Sequence, residues 1–168
     1  MKHVILPFII SLFIAFTPNI YANDTGNFWQ TDLKIIGENL GGSFEESVTI
    51  GVEENAKTIE APPMPPPKYS VKMDLTDLNG PLMKKDIRNE TGYQEWIIVI
   101  NPSGNIMPPI PRTSSLSWNP DKLGNGSYVL KKGYDGKGIV LLEDMKVVSS
   151  YDITGYGNEY FTICYTPY

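Results

Sequence analysis

The chain has 168 residues, a length that fits one domain of ordinary size, and its 41% apolar residues are enough for a hydrophobic core. Its net charge is −5 and no basic cluster could follow a phosphate backbone, so nucleic acid is not an expected partner. One cysteine, Cys164, excludes an intramolecular disulfide framework and a cysteine metal cluster, and one histidine, His3, falls in the leader. Once that leader is removed, no His-based triad, His-ligated zinc or His general base can be built.

The first residues have the pattern of an export signal. Lys2 and His3 give a short positive start, residues 4–16 are almost unbroken apolar sequence, and Thr17-Pro18-Asn19 breaks the run before Ile20-Tyr21-Ala22. The apolar run is shorter than the about 20 residues that a bilayer-spanning helix needs. The expected organisation is a signal peptide over 1–22, cleaved after Ala22, and a single domain over 23–168. Such a product is secreted or periplasmic and, after cleavage, is not an integral membrane protein. A lone thiol fits a compartment in which pairs would oxidise.

Residues 23–27 are polar. Over 28–36, Trp29, Thr31, Leu33 and Ile35 alternate with Gln30, Asp32 and Lys34, and this period of two predicts a strand. Residues 37–42 read as a turn. Val48, Ile50 and Val52 then alternate with Ser47, Thr49 and Gly51, predicting an antiparallel neighbour of the first strand. A polar connection over 53–56 leads to Ala61-Pro62-Pro63-Met64-Pro65-Pro66-Pro67. Proline at this density fixes φ and removes backbone donors, so 61–67 reads as a stiff polyproline strap crossing between two sheets.

Past the strap, Tyr69, Val71, Met73 and Leu75 predict a half-buried strand, and Asn79-Gly80-Pro81 a turn. Residues 82–88 read as an edge strand whose Lys84, Lys85 and Asp86 discourage unwanted pairing. Residues 93–100 are apolar on both faces, which predicts a central strand. A second proline strap, 107–111, precedes a short strand with Leu116 and Trp118, ended by Asn119-Pro120-Asp121. Further strands are expected over 127–131, 138–145, 149–153 and 160–165, with a glycine-rich loop over 133–138. No long helical period occurs. The predicted fold is all-β, an immunoglobulin-like antiparallel β-sandwich, with a jelly roll as the alternative.

A set of short motifs adds a resemblance. Trp29 with its strand, the acidic stretch running into the proline strap, Asp86-Ile87-Arg88, Trp96-Ile97-Ile98-Val99 and Leu116-Ser117-Trp118-Asn119-Pro120 come first. Gly126-Ser127-Tyr128-Val129-Leu130, Glu143-Asp144-Met145, Ser149-Ser150-Tyr151 and Tyr160-Phe161-Thr162-Ile163 follow. Together these resemble immunoglobulin-like β-sandwich modules attached to large extracellular or cell-surface bacterial proteins. The resemblance implies a structural or binding role and carries no catalytic residues. Here, by contrast, the module is expected to stand alone behind its own signal.

Several groups of side chains have the chemistry of a site. Asp74, Asp77 and Asp86 flank one strand and turn, and Glu53, Glu54 and Glu60 lead into the strap. A glycosidase would need two such groups about 5–9 Å apart, one with a raised pKa. Asp121, Asn125 and Asp135 would have to meet at one end of the sandwich to hold calcium, and the usual calcium-loop spacing is absent. Trp29, Trp96 and Trp118 lie on apolar strand faces and are expected in the core. Tyr134 and Tyr156, set among glycines in loops, are the candidate ligand-binding residues. Cys164, in the last strand, is expected as a buried, inert thiol. The expectation is therefore a non-catalytic secreted module that binds an extracellular protein or a polysaccharide, with no cofactor and no metal. A carbohydrate-binding module is the alternative, and a carboxylate hydrolase ranks third.

Overall fold

A computed structural model describes residues 28–39, 42–54, 56, 58–61, 71–89, 92–104 and 110–168. The expected signal peptide over 1–22, the expected proline strap beyond Ala61 and most of the expected second strap lie outside the described residues.

The protein is all-β. Strands β1 (Trp29–Asn39) and β2 (Gly42–Val52) form an antiparallel hairpin paired from Trp29↔Val52 to Asn39↔Gly42. Gly37, expected in a turn, instead continues β1. A Cβ added there would lie 2.8 Å from Ser114 Oγ. The glycine thus serves close approach between strands rather than chain reversal.

Next come β3 (Thr58–Glu60), β4 (Lys72–Thr76), β5 (Met83–Arg88), β6 (Gln94–Asn101) and β7 (Arg112–Ser117). A 3-10 turn (Pro120–Lys122) separates β7 from β8 (Gly126–Lys132), β9 (Ile139–Leu142), β10 (Ser150–Gly155) and β11 (Glu159–Pro167). All belong to one curled, mixed sheet of order β10-β7-β1-β2-β5-β4-β6-β11-β8-β9, with β3 beside β5.

Two expectations need correction. The pairing is not wholly antiparallel, because β2 and β5 run parallel from Thr49↔Lys85 to Val52↔Arg88. Parallel neighbours need a long crossover, and residues 53–82, which contain the proline run, supply it. Nor is β5 an edge strand, since it pairs with β2, β3 and β4. Its lysines are tolerated inside the sheet because they find partners. Lys84 Nζ bonds Glu46 and Asp74, and Lys85 Nζ bonds Gln30 at 3.1 Å. The strand over 94–101 is central, as expected, between β4 and β11.

The alternation read from β1 holds, with Trp29, Thr31, Leu33 and Ile35 all buried. Trp29 meets Trp96 at 5.6 Å, Tyr128 at 5.1 Å and Tyr165 at 5.4 Å between ring centres, each edge-on. These partners stand on β6, β8 and β11, well removed from β1 along the sheet order, so the sheet curls over one core. Each such aromatic contact contributes about 0.5–1.5 kcal/mol beyond area burial. Gly124 is part of this packing, because a Cβ there would fall 2.1 Å from Trp29 Cδ1.

The segment after β9 ties the two ends of the curl together. Met145 N–H donates to the Tyr128 carbonyl at 2.9 Å and Trp118 N–H to the Ser149 carbonyl at 2.9 Å. The Trp118 indole also donates to the Met145 carbonyl at 2.8 Å. Met145 was expected within a strand, but β9 stops at Leu142, and the Met145 side chain is fully buried.

Candidate functional site

Register assembles a shallow groove on the outer face of the sheet. Asp74 of β4 lies opposite Val99 of β6, and Val99 lies opposite Tyr160 of β11. Alternation turns these three residues away from the core. They line a groove of about 260 Å³ together with Lys72, Asn101 and Asn158. At its end the Tyr160 ring meets Tyr134 edge-on, with centres 5.9 Å apart. Tyr134 remains 55% exposed, so the pair is a partly solvated aromatic surface beside polar groups.

The acidic side of the groove is held in place. Lys84 donates to Asp74 Oδ1 at 2.9 Å, to Glu46 Oε2 at 2.9 Å and to the Met73 carbonyl. Burial on its own would lower the pKa of Lys84, but the bonds to Glu46 and Asp74 outweigh it and hold the ammonium above its ordinary value. Asp74 therefore faces the groove as an oriented, charge-balanced acceptor.

The rim carries strain. Leu78 adopts φ +71°, a region that a branched side chain avoids. Its N–H donates to Thr76 Oγ1 at 2.9 Å, and Asp77 Oδ1 accepts from the Asn79 and Gly80 N–H groups. The turn is over-determined by these bonds. Leu78, 45% exposed, is held at the edge of the groove with Leu82 nearby.

A larger cleft, about 600 Å³, opens where the chain after β7 leaves β1. Much of its polar lining is already mutually satisfied. Lys34 pairs with Glu45 at 3.0 Å, Lys85 with Gln30 at 3.1 Å, and Thr49 donates to Asp32 at 2.7 Å. Size therefore does not make this cleft the better ligand site.

Of the two residues singled out from sequence, Tyr134 joins the groove through Tyr160. Tyr156, 64% exposed, stands on the β10–β11 turn that also supplies Asn158, and it forms no ring pair among the described residues. Asp74 was weighed only as one of several carboxylates, and Asn101 and Asn158 were missed, because all three become neighbours of Tyr160 only through strand register.

The remaining candidates separate. Asp86 pairs with Arg88 at 2.8 Å, Asp77 caps its own turn, and Asp135 Oδ1 accepts from Lys137 N–H at 3.1 Å. Asp121 and Asn125 precede β8 while Asp135 follows it. A seven-residue strand keeps those loops roughly 23 Å apart, so they cannot share one ion. Among the described residues no three His, Cys, Asp or Glu side chains gather in a ligand set. None of the described helices is long and apolar enough to cross a membrane. Trp29, Trp96, Trp118 and Cys164 are buried.

The fold and groove define an all-β protein with an aromatic and polar outer sheet face. No family model, curated protein or solved structure matches the chain.

Proposed function

We propose that this chain is an exported, non-catalytic binding module of immunoglobulin-like β-sandwich type, whose ligand is a polysaccharide laid across the outer groove of β4, β6 and β11. The observation that carries this reading is the row Asp74, Val99 and Tyr160, completed by Tyr134 and flanked by Asn101 and Asn158. Sugar rings offer apolar faces to an aromatic surface and hydroxyls to carboxylate and amide groups, which is the pairing this face presents. A groove this shallow suits a short stretch of a longer chain better than an enclosed small molecule. The retained backbone strain at Leu78 supports the same place, since strain tends to persist where function holds it.

The export part of the proposal rests on the leader over 1–22. The sandwich part is supported by two stretches of sheet, β10-β7-β1-β2 and β4-β6-β11-β8-β9, lying across one core. The parallel β2–β5 pairing that joins them departs from the antiparallel plan. The resemblance to modules of cell-surface proteins points to the same role. An extracellular protein is the second reading, favoured by exposed Tyr134 and Tyr156, because tyrosine is enriched at protein interfaces.

The test is affinity electrophoresis of residues 23–168 through gels holding neutral glucans, mannans or an acidic uronan. At least one polymer should retard the protein, and Tyr160→Ala and Tyr134→Ala should each reduce the retardation. Free migration in every gel, or retardation untouched by both substitutions, would overturn the polysaccharide reading.

A further inference from the structure

We propose that the cleft beside β1 is a second ligand site, separate from the groove of β4, β6 and β11, and that it holds the carboxylate of a uronic acid. Strand β1 pairs with β7 only from Lys34 to Gly37, so residues 29–32 have β2 as their one strand neighbour among the described residues. Opposite that open edge the chain after β7 turns through Asn119 and Pro120–Lys122, and the cleft of about 600 Å³ lies between them. That volume is typical of small-molecule sites, which run from about 300 to 1,000 Å³.

Charge selects the ligand. Register places Asp32, Thr49 and Lys85 in one row across β1, β2 and β5. Thr49 donates to Asp32 Oδ1 at 2.7 Å, and Lys85 Nζ donates to Gln30 Oε1 at 3.1 Å. Gln30 is neutral, so this bond orients the Lys85 ammonium without balancing its charge. Lys122, on the facing wall, enters no ion pair among the described residues. The turn that carries it is held firmly. Asn119 Oδ1 accepts from Asp121 N–H and the Asn119 carbonyl accepts from Lys122 N–H, both at 3.0 Å, and the buried Leu123 anchors the turn in the core. Lys122 and Gln30 also line the adjoining hollow beside Gly124, which places Lys122 near the residue that orients Lys85. Lys34 differs, because Glu45 neutralises it at 3.0 Å. Two uncompensated ammonium groups in one cleft of an acidic chain call for an anion. Asp32 restricts which one. Its carboxylate repels a doubly charged phosphate but accepts hydrogen bonds from hydroxyl groups. A sugar acid brings both parts, one carboxylate for Lys85 and Lys122 and hydroxyls for Asp32, Ser117 and Asn119.

Backbone amide NMR shifts, followed as the protein is titrated with glucuronate, glucose, acetate or inorganic phosphate at fixed ionic strength, test this. Glucuronate should move the Gln30, Asn119 and Lys122 signals saturably. It should bind roughly tenfold more tightly than glucose or acetate, each of which lacks half of the contact. Lys85→Gln and Lys122→Gln should each weaken glucuronate roughly tenfold, with unmoved signals away from the cleft confirming that the variants are folded. Asp32→Asn keeps an acceptor for Thr49 and should shift the preference from glucuronate towards phosphate. Absence of saturable glucuronate shifts at these residues overturns the proposal, as does binding indifferent to both lysine substitutions. Phosphate, acetate or glucose binding the wild type as tightly as glucuronate overturns the assignment to a sugar acid.

Discussion

The Trp118 indole and the Met145 carbonyl, 2.8 Å apart, join the segment between β9 and β10 to the chain just after β7. Trp118→Phe keeps most of the apolar volume but removes the donor, leaving a buried carbonyl short of a partner. The expected cost is about 1–3 kcal/mol. Met145→Ala should cost more, about 2–5 kcal/mol, because it empties a fully buried site. Urea unfolding of both variants measures the two values. Wild-type midpoints would show that this tie does not hold the curl.

The Lys84 bridge predicts an alkaline limit. Its folded-state pKa is raised, so its contribution to stability is complete below the unfolded value of 10.5 and fades as pH climbs through the folded value. Tyr128 acts in the same direction. Burial, with Tyr165 adding to it, pushes its phenol well above 10.0, so folding opposes its ionisation. Urea midpoints should therefore hold from neutral pH to about pH 10 and then drop. Lys84→Met should lose about 1–3 kcal/mol at neutral pH, by stranding the part-buried Asp74, and should soften the alkaline drop. The Tyr128 hydroxyl lies beside Gly124 without a hydrogen bond of good geometry, so Tyr128→Phe should be close to neutral at pH 7.

Gly124 is fixed by the ring it touches. Gly124→Ala would drive a methyl into Trp29, and overpacking of this kind costs about 1–3 kcal/mol. A lower melting temperature with an altered near-ultraviolet aromatic signal is expected. An unchanged signal would mean that the ring can move aside.

Leu78 offers a trade between stability and binding. Leu78→Asn places a residue that accepts positive φ at the strained position and should raise stability by about 1 kcal/mol. It also removes an apolar rim from the groove and should weaken retardation by polysaccharide. Gains in both properties would separate the strain from the site.

Cys164 is nearly fully buried. Its reaction with an aromatic disulfide reagent should be negligible in the native protein, and its rate should follow the urea transition. Rapid labelling without denaturant would place the thiol at the surface.

The sequence carried the parts of the fold that depend on alternation. Leu33 and Ile35, Met73 and Leu75, and Trp96 and Ile98 are buried as their period of two requires. Beyond the antiparallel β1–β2 hairpin, it did not carry pairing partners. Lys84 and Lys85 look like guards of an edge until β2 and β4 bring Glu46 and Asp74 beside Lys84 and β1 brings Gln30 beside Lys85. The short β3 has three exposed residues and no alternation to read. Gly37 looked like a turn because close strand approach and chain reversal favour the same residue. Tyr134 was legible as an exposed loop aromatic, whereas Tyr160 took on its role only once β11 was set between β6 and β8.

That placement of β11 also bears on how the chain reaches its folded state. Every neighbour of β11 precedes it in sequence, yet β11 fills the space between β6 and β8, pairing with residues 94–100 on one side and 126–132 on the other. Until residues 159–167 are available, those two strands face each other across a missing ladder, and Trp96 and Tyr128 lack the Tyr165 ring. Closure must await long-range contacts, which makes folding slow relative to a chain of local hairpins. A polypeptide delivered from its amino end would keep the β6 and β8 ladders unfilled until that last strand arrived.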